Sequence, residues 1–117
     1  MVVVHYSPDA RRQLEALGSF TGSLVDARLR DALRGGWQWE SKIRRLPVRH
    51  DPPWFAIRLG GGTIAIARRM DEAEVQWMLT PTTDVLVAFI VDEPEIKDVI
   101  ERLKTYKVQF VDSQEEE

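Results

Sequence analysis

Phe55-Ala56-Ile57-Arg58-Leu59-Gly60-Gly61-Gly62-Thr63-Ile64-Ala65-Ile66-Ala67-Arg68-Arg69 is the stretch on which the fold turns. Phe55, Ile57 and Leu59 alternate with Ala56 and Arg58, and the alternation resumes after three glycines through Thr63 to Ala67. A period of two is the mark of a strand, and glycine tolerates the positive φ of a tight connection, so the stretch reads as a β-hairpin. The triplet has neither the spacing of a phosphate-binding loop nor a following Lys-Ser or Lys-Thr, which leaves it as a turn.

Upstream, Lys42 to Leu46 suggests a strand ending at Pro47, and His50-Asp51-Pro52-Pro53 reads as a rigid loop because proline removes donors and restricts its predecessor. Two helical patterns precede it. In the first, Ser7 caps, Pro8 takes the opening position, Ala10, Leu14 and Leu17 share a face, and Gly18 ends the run. In the second, over Thr21 to Leu33, the stripe is Val25, Leu29, Ala32 and Leu33, stopped by Gly35-Gly36. Residues 2 to 6, β-branched or aromatic, form a first strand.

Downstream, Met70 to Glu74 is a polar connection, Val75, Trp77 and Leu79 alternate as a strand would, and Thr80 to Asp84 carries turn chemistry. Val85 to Val91 is an unbroken apolar run, as expected of a central strand buried on both faces. Asp92 caps a last helix whose stripe is Ile96, Val99, Ile100 and Leu103. The order predicts an α+β fold: an N-terminal strand, a helical hairpin, then an antiparallel β-meander with an added C-terminal helix, the helices packed on one face. A single domain is expected over residues 1–110, followed by an acidic, unpatterned tail over 111–117 that reads as disordered.

At 117 residues and 44% hydrophobic the chain suffices for one core. There is no cysteine, which excludes disulfides, thiolate metal sites and a cysteine nucleophile. No cofactor or metal motif is present, and no segment approaches a membrane span, so a cytoplasmic protein without a membrane partner is the expectation. The net charge of −3 conceals a polarity: residues 1–69 carry +6 and residues 70–117 carry −9. Lys42, Arg44, Arg45, Arg49, Arg58, Arg68 and Arg69 hold much of the basic excess. Such a cluster suits phosphates, although pairing with the acidic second half explains it equally well.

Tyr6-Ser7-Pro8-Asp9-Ala10-Arg11-Arg12-Gln13-Leu14, the Lys42 to Pro47 stretch, Trp54-Phe55-Ala56-Ile57-Arg58-Leu59 and Val85-Leu86-Val87-Ala88-Phe89 together resemble the RelE/ParE toxin superfamily. The likeness covers about residues 2–91. It implies a toxin of a toxin–antitoxin pair, an mRNA endoribonuclease acting free or on the ribosome, or a gyrase poison, neutralised by a cognate antitoxin protein. It also implies that Arg58 is the strand arginine of the family and that Lys42, Arg44 and Arg45 meet RNA phosphates.

Metal-independent cleavage at a 2′-OH needs a base, charge stabilisation at the phosphate and an acid. Arginine supplies the second. His50, beside Arg49 in the Pro-rich loop, is the better imidazole, and His5 reads as a half-buried sheet residue. The catalytic candidates are therefore Arg58, His50 and Arg45, with Lys42, Arg44, Arg49, Arg68, Arg69 and Trp54 as the RNA-binding set. Trp37 and Trp39 fit base stacking or a packed core alike. The alternative to a toxin is a non-catalytic interaction module of the same fold that binds a protein partner.

Overall fold

The computed structural model describes residues 3–34, 43–50, 52–71, 73, 76 and 84–106. Its elements run β1 (Val4–Tyr6), α1 (Pro8–Ala16), α2 (Ser19–Arg34), β2 (Ile43–Arg45), β3 (Phe55–Gly60), β4 (Thr63–Arg69), β5 (Val85–Asp92), a 3-10 turn (Glu93–Glu95) and α3 (Ile96–Leu103). The five strands form one sheet in the order β1-β5-β4-β3-β2. This is the expected α+β fold. No helix among the described residues is long and apolar enough to cross a membrane.

Two features differ from the sequence expectation. The meander β2 to β5 is antiparallel, but β1 adds to β5 in parallel, Val4 opposite Val85 and Tyr6 opposite Val87, which makes the sheet mixed. The helices also divide between its faces. Ala10, Val25, Leu29 and Leu33 of α1 and α2 pack with Ile57, Leu59, Ala65 and Val87 on one face. Ile96, Val99 and Leu103 of α3 pack with Ile64, Ile66, Leu86 and Phe89 on the other. β5 dictates this division: Val85 to Val91 are all buried, and a strand apolar on both faces has to be covered on both.

The hairpin forms as expected, with Gly60, Gly61 and Gly62 at φ of 91°, 65° and 81°, the left-handed region that side chains disfavour. β5 carries an irregularity that the sequence hides. Ala67 pairs with Val87 and Ile66 with Phe89, so Ala88 is an extra residue opposite β4, and Ala88 and Phe89 both join the α3-side core. Helix α1 satisfies the displaced backbone. The Ser7 hydroxyl accepts from Ala10 N at 3.0 Å as the helix cap and donates to the Ala88 carbonyl at 2.6 Å, while Gln13 Oε1 accepts from Ile90 N at 2.7 Å.

Helix α2 begins at Ser19, two residues ahead of the expected Thr21. It approaches α1 closely at buried Gly22, where a Cβ would stand 2.9 Å from the Leu14 carbonyl oxygen. The alternation at Val75, Trp77 and Leu79 lies outside the described residues, but Ala73 and Gln76 are helical. The tail at 111–117 also lies outside them.

Candidate nucleic-acid interface

β2 is the sheet's edge on the side of β3, and it is only three residues long. Ile43 faces the α1/α2 core and pins the strand, while Arg44 and Arg45 are exposed. Their registers aim them apart. Arg44 lies opposite Ala56, which belongs to the α3-side core, and Arg45 lies opposite Phe55, which packs on the α1/α2 side. The chain leaves β2 through buried Leu46, whose N–H bonds the Trp54 carbonyl at 2.9 Å, and reaches exposed Arg49 and His50. His50 Nδ1 donates to the Pro52 carbonyl at 2.9 Å. The three arginines thus lie together around one edge and its loop. Lys42, Trp37 and Trp39 fall outside the described residues.

Arg58 is exposed on the α3-side face of β3, and its guanidinium lies 3.6 Å from the Glu93 carboxylate in the 3-10 turn. This is one of the pairs with the acidic second half that the charge split foreshadowed. His50 lies over Trp54, ring centroids 6.2 Å apart, four residues before Arg58. Four residues of strand span about 13 Å. Arg45 faces the opposite side of the sheet. The expected trio of Arg58, His50 and Arg45 is therefore not gathered at one point.

Two members of the RNA-binding set are core residues. Trp54 is 1% exposed and packs edge-on against Tyr106, so its face is not offered to a base. Arg68 is 2% exposed, with its guanidinium carbon 4.8 Å from the centre of the Trp54 ring. It donates to the Arg69 carbonyl at 3.1 Å and approaches Asp71 at 3.9 Å. An arginine packed between an indole, a carbonyl and a carboxylate holds the α3-side core together and is not a surface phosphate ligand. Arg69, the next residue, is exposed.

The structure adds polar networks that residue order conceals. A groove of about 570 Å³ opens between β1, α1 and α2. In it the Tyr6 hydroxyl donates to Asp26 at 2.5 Å, and Arg30 holds the other Asp26 oxygen at 2.9 Å. Burial, then the Asp26 hydrogen bond and charge, raise the Tyr6 phenol above its ordinary range. Burial works against the Asp26 carboxylate, but the hydrogen bonds from Arg30 and Tyr6 outweigh it, and its pKa is lowered. The Asp26 hydrogen bond in turn raises that of Arg30. At the start of β5, His5 Nε2 donates to the buried Asp84 carboxylate at 2.9 Å, tying β1 to the sheet. Of this network only the i, i+4 spacing of Asp26 and Arg30 is a feature of local sequence. No cluster of three metal-ligating side chains occurs among the described residues.

No protein-family model, no curated protein and no solved structure matches this chain.

Proposed function

We propose that this chain is a RelE/ParE-like toxin module that engages RNA, free or on the ribosome, through the basic edge of β2 and its loop, with a cognate antitoxin protein as its partner. The observation that carries the reading is the joint exposure of Arg44, Arg45 and Arg49, with no carboxylate at ion-pair distance from any of them among the described residues. A guanidinium already paired must give up its partner to bind a phosphate, whereas these three have no carboxylate partner among the described residues to give up. The chain order of strand, helical hairpin and antiparallel strands supports the same reading. The separation of Arg58, His50 and Arg45 favours RNA binding without cleavage by those three residues acting together.

The test is binding to a mixed RNA pool at two salt concentrations, with cleavage read on the same gel. Affinity is expected to fall steeply with salt. Replacing Arg44, Arg45 and Arg49 together with Gln should reduce the log–log salt slope by about 2, at about 0.7 per phosphate for single strands. Cut products that disappear in Arg58→Ala would establish a free endoribonuclease, and cut products that appear only when ribosomes are added would establish a ribosome-dependent one. Salt-insensitive or absent binding overturns the RNA reading. Growth arrest on expression without the antitoxin is the cellular counterpart.

A further inference from the structure

Around the α3-side layer, Arg58 faces Glu93, Arg68 lies beside Asp71, Lys104 bonds Glu101, and Arg12 and Arg102 converge on Asp9. Arg44 and Arg49 stand on the same side with no carboxylate at ion-pair distance among the described residues. Arg44 lies opposite Ala56 of that core, and the loop that carries Arg49 is packed on it through Leu46, Val48 and Trp54. The described chain leaves the molecule at this layer too, because Tyr106 packs against the same core. The Tyr106 ring is 5.5 Å from that of Trp54, and the His50 ring 6.2 Å from it, so Tyr106 and His50 are no more than about 12 Å apart. Trp54 is buried, and the two distances measure a separation rather than a path. After Tyr106 the sequence runs Lys107-Val108-Gln109-Phe110-Val111-Asp112-Ser113-Gln114-Glu115-Glu116-Glu117, with four carboxylates in its last six residues and no cation after Lys107.

Resting on the RNA-binding reading, we propose that residues 112–117 dock on Arg44 and Arg49 of the same molecule and hold that site against RNA. Side, charge and reach select this occupant. The two guanidinium groups without a carboxylate stand on the side from which the chain leaves, and the segment carries only the opposite charge. Asp112 is six residues beyond Tyr106, and six residues reach up to about 20 Å, which exceeds the separation of Tyr106 from the loop. A carboxylate meets the arginine fork in the geometry that a phosphate uses. Exposed ion pairs are individually weak. Tethering compensates, because a linker that spans the two sites holds its segment at an effective concentration of about millimolar. Arg45, across the sheet, takes no part in the contact. RNA competes with the segment for Arg44 and Arg49, so neutralising residues 112–117 is expected to tighten RNA binding.

The chain has no cysteine, so Ser113→Cys in the full-length protein gives one attachment site for a nitroxide. The label is expected to broaden the amide NMR signals of Arg44 and Arg49 at low salt. The broadening should fade at high salt and when Arg44→Gln and Arg49→Gln are combined, and should persist in Arg45→Gln. Broadening that survives both salt and the double replacement reports only the nearness of the attachment point and overturns the docking. Broadening passed from nitroxide-labelled to isotope-labelled copies assigns the segment to a second molecule and overturns the intramolecular contact. In parallel, binding of a fluorescent single-stranded RNA is compared between wild type and a full chain carrying Asp112→Asn, Glu115→Gln, Glu116→Gln and Glu117→Gln. The neutral segment is expected to tighten binding about 3- to 10-fold at low salt, with the gap closing as salt rises. No gain is expected where Arg44→Gln and Arg49→Gln are also present, and an equal gain there means general repulsion and overturns the docking. If Arg44→Gln weakens RNA binding while the neutral segment changes nothing, the docking is wrong and the RNA reading stands. If neither protein binds RNA while the broadening depends on Arg44 and Arg49, the RNA reading and the competition fall and the contact stands.

Discussion

Gly22 shows how much one missing atom sets. A methyl group there would meet the Leu14 carbonyl at 2.9 Å, and that oxygen is backbone, so the two helices would have to separate. Gly22→Ala is expected to lower stability by about 1–3 kcal/mol in a urea titration, despite alanine's better helix propensity. Asp26 gives a pH-dependent counterpart. Its pKa is lowered on folding, so its contribution is present above the unfolded carboxylate value of about 3.9 and is lost as pH falls through the lowered value. Wild type is therefore expected to melt above Asp26→Asn at pH 6, with the gap closing toward pH 2. A gap constant across that range would remove the Asp26 network as its source. Residue types on their own mislead at Arg68 and Trp54. The alternation of β4 gave Arg68 no distinguishing mark from its exposed neighbour Arg69, and only the placement of Trp54 beneath it buries the charge.

Among the elements, those set by local chemistry were legible. Ser7-Pro8 opens α1, the glycine triplet closes the hairpin, and the apolar run of β5 is central. What the sequence left dark depends on distant partners: the parallel addition of β1, the passage of α3 to the other face, and the extra residue at Ala88. Local periodicity carries no information about any of them, because an apolar run looks the same with or without a bulge. The exposed edge was legible as well, since Arg44, Arg45 and Arg49 are exposed as a basic strand and loop should be, whereas the convergence of Arg12 and Arg102 joins residues 90 apart in sequence. Ser7 joins two elements at once. Ser7→Ala removes the α1 cap and leaves the Ala88 carbonyl without its donor, so a loss of about 2–3 kcal/mol is expected, more than a cap alone costs. Amide exchange should accelerate at both Ala10 and the Ala88 region. Acceleration confined to α1 would show that the bulge does not depend on the hydroxyl.

At the scale of the whole molecule, the two apolar layers share β5, so neither can open without exposing the other's floor. Leu29→Ala on one side and Phe89→Ala on the other are each expected to cost about 2–5 kcal/mol and to shift the same single unfolding transition. Two separable transitions in calorimetry would mean that the layers are independent. The charge polarity of the chain also resolves at this scale. Part of the acidic second half is used on specific cations, Glu93 on Arg58 and Asp71 on Arg68, whereas among the described residues no carboxylate pairs with Arg44, Arg45 or Arg49.

The bulge at Ala88 gives β5 an unusual tolerance to change in length. Removing Ala88 would place Val87 and Phe89 in consecutive register against Ala67 and Ile66 and return the strand to plain alternation, with Phe89, Ile90 and Val91 still on the faces they occupy now. Removing Val87 instead would break the pairing with Tyr6 and Ala67 together. Within β5, length variation is therefore accommodated at Ala88, and the hydroxyl of Ser7 marks that position from outside the strand.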